Sequence, residues 1–277
     1  MARVSLGRTG ISVGRVGLGT VKLGRTAGLK YPAPVVIPDD QAALALLRAA
    51  HESGVNLIDT APAYGSSETR LGTLLPQVAP RDRWVICTKA GERFDPAAEQ
   101  GRGRSTWDFS PAALTQSVEQ SLRALRTDRL DLVLLHFASS FEHEHAVIRS
   151  GEALAALARL RDQGKVRAIG ASCAQVGAAL DALAVCDVLM LTWNPQEQAM
   201  APVIAAAPVR RVGVLVKKAL ASGHLGSESP AADPSANHPS SGDTLAWVLG
   251  TPGVDAVVLG TTRPDRLREA ALLARGG

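Results

Sequence analysis

From about residue 15 onward, short apolar runs alternate with longer segments of helical period, the pattern of repeated βα units around a parallel sheet. Eight strand candidates stand out: RVGLGT from Arg15, NLIDT from Asn56, WVICTK from Trp84, DLVLLH from Asp131, VRAIGAS from Val166, VLMLTWN from Val188, GVLVKKAL from Gly213 and AVVLGTT from Ala256. A helix is predicted after each, beginning near Asp39, Ser66, Ser110, Gly151, Cys173, Gln198, Pro239 and Pro264. Asp39 is a capping residue, Leu44 and Leu47 share one face of the first helix, and Gly54 ends it. Ser110-Pro111 places a cap before a proline at the first helical position.

The last four strand runs are almost continuous in Val, Leu, Ile and Ala, as strands covered on both faces are. Eight strand-helix pairs point to an α/β fold, a closed (β/α)8 TIM barrel occupying residues 1–277 as one domain. VSLGRTGISV holds two short β-like runs around Gly7 to Gly10, expected to form an N-terminal β-hairpin closing the barrel floor. Residues 21–38 and 90–109 are expected to be irregular, because glycine and proline interrupt them.

Composition narrows the classes of function. A chain of 277 residues with 46% hydrophobic and 20% charged positions has material for a large core. The net charge of +4 comes from scattered arginines interleaved with acids, so no nucleic-acid partner is expected, and Arg102 to Arg104 read as a solvated loop. Cys87, Cys173 and Cys186 form no C-x-x-C pair and no metal spacing, which fits a reduced, cytoplasmic setting without a metal. No apolar run approaches the roughly 20 residues that span a bilayer, so no membrane partner is expected either. His143 and His145 lack a third ligand and read as a solvated loop.

In a barrel of this kind the active site lies at the C-terminal strand ends. Those ends carry Asp59, Lys89, His136, Ser172, Asn194 and the pair Lys217 and Lys218. Asp59 and Lys89 end adjacent strands and are expected to pair. Tyr64, in DTAPAYG, is expected to fold back over Lys89, whose ammonium would lower the phenol's pKa towards working pH and suit it to general acid catalysis. His136, closing LVLLH, would then orient a carbonyl oxygen as a neutral donor. Taken singly, the ion pair is a rim contact and the histidine a core residue; taken together, the four are a site.

The blocks NLIDTAPAYGSSETRLG, ICTKAGE, LDLVLLH, GKVRAIGAS and VVLGTTRPDRL, in this order between Gly17 and Glu269, resemble the aldo-keto reductase superfamily. The resemblance implies an NAD(P)H-dependent oxidoreductase with a tetrad of Asp59, Tyr64, Lys89 and His136. It implies NADPH, with NADH less favoured, extended over the mouth. Ser172 would contact the nicotinamide amide and Trp193 would stack beneath the ring. Cys173 and Met190 stand where the family carries Asn and Gln, which removes two amide contacts, and Ala270 replaces a common adenine-contacting Asn. Leu220, Ser222 and Leu225 would form the pyrophosphate loop; Gly260, Thr261, Arg263, Arg266 and Glu269 would form the adenosine-phosphate site, where arginines at a helix N-terminus favour the extra phosphate.

Lys22, Trp107 and Phe137 are expected to line the pocket for a small-molecule carbonyl or alcohol. Rival readings are an aldose or sugar dehydrogenase working oxidatively, a non-catalytic nicotinamide-binding sensor, and a Schiff-base aldolase using Lys89, against which Tyr64 in its motif argues. Oligomeric state and reaction direction are not written in the sequence.

Overall fold

The computed structural model describes residues 3–138, 141–225 and 240–275. The chain opens with β1 (Arg3–Ser5) and β2 (Ser12–Gly14), an antiparallel pair, followed by β3 (Val16–Gly19) and α1 (Asp40–Glu52). Then come β4 (Leu57–Asp59), α2 (Ser67–Leu74), β5 (Val85–Ala90), β6 (Glu92–Asp95), β7 (Arg104–Trp107) and α3 (Pro111–Ala124). The middle of the chain is β8 (Leu130–His136), α4 (Glu144–Ser150), α5 (Glu152–Asp162), β9 (Val166–Ser172), α6 (Val176–Ala182) and β10 (Val188–Thr192). It ends with α7 (Ala201–Arg210), β11 (Gly213–Lys217), α8 (Ser241–Leu249), β12 (Ala256–Leu259) and α9 (Pro264–Leu273).

Strands β3, β4, β5, β8, β9, β10, β11 and β12 pair in parallel in that order and close on themselves, giving the (β/α)8 barrel. Following the inward residues around the ring, the register steps by two residues at β4/β5, β5/β8, β9/β10 and β11/β12 and stays level elsewhere. This is the stagger a tilted eight-stranded barrel requires.

Alternation along each strand sorts the core into two layers. Leu57, Cys87, Leu134, Met190, Leu215 and Val258 point into the barrel; Ile58, Ile86, Val133, Leu189, Val214 and Val257 point out to the helices. Leu6, Ile11 and Val13 of the N-terminal hairpin join the inner layer where the strands begin, so the hairpin closes the floor. Capping follows the sequence: Asp39 accepts from Ala42 N at 2.8 Å, and Ser110 Oγ from Ala113 N at 3.3 Å.

Three features depart from the sequence reading. Residues 92–107 are not irregular throughout, because β6 and β7 pair antiparallel, Glu92 opposite Trp107. The histidine-containing loop is helix α4, with buried Glu144 accepting from Ala174 N and Gln175 N, and His145 paired with Asp181 at 2.5 Å. Left-handed Gly151 (φ 71°) then separates α4 from α5. The helix expected from Pro239 begins at Ser241; Pro239 itself lies outside the described residues. Among the described residues no helix is long and apolar enough to cross a membrane, and no group of three or more candidate ligands is placed to hold a metal.

Candidate active site

Carried to the C-terminal ends of the strands, the inward parity selects Gly19, Asp59, Lys89, His136, Ser172, Thr192, Lys217 and Gly260. A polar ring with two side-chain-free positions thus crowns an apolar barrel. Above it opens a cavity of about 410 Å³ whose lining includes Asp59, Tyr64, Glu92, His136 and Lys217.

Asp59 and Lys89 meet here as expected. Lys89 Nζ donates to Asp59 Oδ1 at 2.6 Å and to the Thr60 carbonyl at 2.8 Å, with both side chains buried. Burial acts to lower the Lys89 pKa, yet Asp59, Tyr64 and Cys87 together outweigh it and the ammonium is held above the ordinary lysine range. Lys89 is therefore a fixed cation, which removes it as a Schiff-base nucleophile.

Tyr64 ends a short helical turn, Pro62–Tyr64, that follows β4. Gly65 continues it at φ +62°, and a Cβ there would stand 2.1 Å from the Gly24 carbonyl oxygen. At Gly24 a Cβ would stand 2.3 Å from the Tyr64 carbonyl oxygen, so two bare backbones in contact seat the tyrosine. Its ring lies 4.8 Å from Lys89 Nζ and edge-on to His136 with centroids 5.9 Å apart. The expected lowering of the phenol's pKa does not occur. Burial dominates, Asp59 and Glu92 add to it, and Tyr64 is held above the usual tyrosine range despite Lys89.

His136 has a partner that strand-end reasoning missed. Its Nδ1 lies 2.8 Å from Glu92 Oε2, in a geometry bent away from a straight hydrogen bond. Ser105 Oγ donates to the other Glu92 oxygen at 2.5 Å, and Arg25 stands 4.0 Å from it. Burial would raise the Glu92 pKa, but His136, Ser105 and Arg25 pull it down to about 2. For His136 burial wins over Glu92, so the imidazole is held below its ordinary range.

The remaining predicted residues separate by strand parity. Ser172 points inward and accepts from Lys217 Nζ at 2.8 Å. Met190 is inward but one layer below the mouth. Trp193 is a correction: it faces the helices, stacks on Trp247 at 5.3 Å and donates to Thr251 Oγ1 at 3.0 Å. Cys173, adjacent to an inward residue, faces the same outer layer, where burial raises its thiol pKa far above normal. Asn194 fixes its own loop by accepting from Gln196 N and donating to the Lys218 carbonyl.

A second cavity, about 220 Å³, is lined by Leu220, Leu225, Gly260, Thr261, Arg266, Glu269 and Ala270 among others. It shares Leu220, Gly223, Leu259 and Gly260 with the mouth, so the two form one continuous groove; Ser222 lines the mouth side. Arg263 does not line this groove; its exposed side chain is bound to Asp265. Lys22 lines the mouth with its ammonium 3.9 Å from the centre of the Tyr31 ring. Phe137 also lines it, packed on Phe109 at 4.9 Å. Trp107 stands back from the cavity, packed on Phe141 at 5.5 Å.

Comparison with known proteins bears on this arrangement directly. The profile of the Aldo/keto reductase family matches residues 15–241. A D-threo-aldose 1-dehydrogenase of a Pseudomonas species is 31% identical over 215 residues, 70% of this chain and 64% of that protein. An NADH-specific methylglyoxal reductase of Escherichia coli is 34% identical over 178 residues, 62% of this chain and 52% of that protein. The chain thus spans between half and two thirds of these relatives' lengths. A crystal structure of a Pseudomonas aeruginosa protein assigned to the aldo-keto reductases is 39% identical, with a TM-score of 0.82 over 98% of this chain and 93% of that one. With its barrel, its buried Asp59–Lys89 pair and this match, the chain belongs to the aldo/keto reductase family.

Proposed function

We propose that the protein is an NADPH-dependent oxidoreductase that reduces a small aldehyde or ketone to an alcohol, with Tyr64 as the proton donor. The observation that carries this reading is the placement of the Tyr64 ring against both Lys89 and His136 on one cavity.

The groove suits a dinucleotide. Gly19 and Gly260 leave its floor without side chains, and a Cβ at either would press within about 3 Å on Val258 or Tyr31. Leu220, Ser222 and Leu225 border its middle, and Thr261, Arg266 and Glu269 its far end. Arg266 is the cation there that favours the additional phosphate of NADPH, Glu269 lying 3.6 Å from it. When bound, the nicotinamide supplies hydride-transfer chemistry at the carbonyl carbon.

The protein's own residues handle the oxygen and its proton. His136 and Tyr64 hold the carbonyl oxygen between them, and Tyr64 protonates it as negative charge develops. A phenol held above its usual pKa keeps its proton at every working pH. It still transfers that proton downhill, because an alkoxide is far more basic. Lys89, fixed by Asp59, stabilises the phenolate that remains.

A second reading, oxidation of an aldose, is favoured by the dehydrogenase relative and uses the same residues in reverse. Tyr64 would then have to act as phenolate, which its burial opposes.

The deciding experiment follows NADPH and NADH oxidation by absorbance against aromatic aldehydes, dicarbonyls and aldoses. Turnover is expected, faster with NADPH, and Tyr64→Phe is expected to reduce it about 10²- to 10⁴-fold while retaining cofactor binding. Unchanged turnover in that variant rejects Tyr64 as the acid. Tight cofactor binding without turnover in either direction identifies a nicotinamide sensor instead.

A further inference from the structure

The mouth holds two lysines with very different surroundings, Lys89 buried and Lys217 half-buried. Lys89 is saturated by Asp59 and the Thr60 carbonyl. Lys217 ends β11 at an inward position and donates to Ser172 Oγ, a neutral hydroxyl, at 2.8 Å. Among the described residues no carboxylate lies within 4.0 Å of it. Its charged and titratable neighbours are Lys218 beside it, Cys173 after β9, Glu144 of α4, Lys89 of β5 and His136 of β8. Glu144, the acid among them, is occupied by the amides of Ala174 and Gln175.

A half-buried ammonium without a carboxylate against it is sensitive to further positive charge placed beside it. Lys217 lines the mouth, and the groove from the second cavity enters across Gly260, which follows the neighbouring strand β12. A nicotinamide ring is cationic when oxidised and neutral when reduced, whereas the phosphates are the same in both states. We infer that Lys217 makes this site discriminate between the oxidation states of its cofactor, favouring the neutral reduced ring over the cationic oxidised one. The inference rests on the cofactor reading proposed above.

Burial, reinforced by Lys218, pushes the Lys217 pKa down to about 8, so the discrimination is strongest where the amine is still protonated. It fades as pH rises through that value.

The test measures dissociation constants of the oxidised and reduced dinucleotide by fluorescence titration, for wild type and Lys217→Met. At about pH 7 the ratio of oxidised to reduced constants is expected to be about tenfold or more larger in wild type than in the variant. By about pH 9.5 the two ratios should converge. Calorimetry in two buffers of unlike ionisation enthalpy should show proton release on binding the oxidised form to wild type near neutral pH. Equal ratios in both proteins, flat with pH, overturn the inference while leaving the cofactor reading intact. Failure of wild type to bind either form overturns both. If the variant does not fold, a flat wild-type ratio without proton release still overturns the inference, and a ratio that falls with rising pH together with proton release supports it.

Discussion

Glu92 Oε2 stands 2.8 Å from His136 Nδ1, and both side chains are almost withdrawn from solvent. The carboxylate comes from the hairpin above the mouth and the imidazole from the barrel wall. With Nδ1 beside Glu92, we assign the other ring nitrogen to the substrate oxygen.

Replacing Glu92 by Gln tests that relationship. The carboxylate opposes the lowering of the His136 pKa by burial, so its removal lowers that pKa further. The acidic limb of the kcat/KM profile governed by His136 is expected to move to lower pH, and kcat to fall by about tenfold or more. A merely structural Glu92 would change stability and leave the limb in place.

Lys217 gives a stability prediction with a definite sign. Its folded pKa of about 8 is below the unfolded value near about 10.4, so the unfolded chain holds the proton more tightly. The resulting penalty is complete below about pH 8 and gone above about pH 10.4. Lys217→Met is therefore expected to be more stable than wild type near neutrality, by on the order of 3 kcal/mol, with the advantage vanishing as pH rises through this window. Urea midpoints across the pH range check it.

Gly65→Ala should damage the site without touching a chemical group. Its added Cβ collides with the Gly24 carbonyl at a left-handed φ, so a loss of about 2 kcal/mol or more and a displaced Tyr64 are expected. Gly10→Ala is the control: φ is +67°, but nothing lies within 4 Å of its Cβ. It should lose stability by the backbone effect alone and keep full turnover; thermal melts and steady-state kinetics separate the two.

The barrel and the clustering of Asp59, Tyr64, Lys89 and His136 were legible because both follow from local rules. Strand-end position identified Asp59, Lys89 and His136, and the motif after β4 identified Tyr64. Trp193 was misplaced by parity: it is an odd number of residues from inward-facing Met190, so the two cannot share a face. The same rule separates Ser172 from Cys173. Glu92 and Ser105 were missed because their contact depends on the antiparallel pairing of two short strands across a glycine-rich turn. Neither ERFD nor RSTW alternates apolar and polar residues, so no period-2 signal marked the pair. The Tyr64 pKa was misjudged for another reason: Lys89 was counted without the desolvation that accompanies its placement.

The hairpin of β6 and β7 borders the mouth through Glu92 and Ser105, and Glu92, itself fixed by Ser105, stands against His136. A segment that shapes what enters is thus also a handle on how fast it reacts. Retargeting the mouth by exchanging this hairpin would alter rate along with selectivity, and a variant library would separate the two only if positions 92 and 105 were kept fixed.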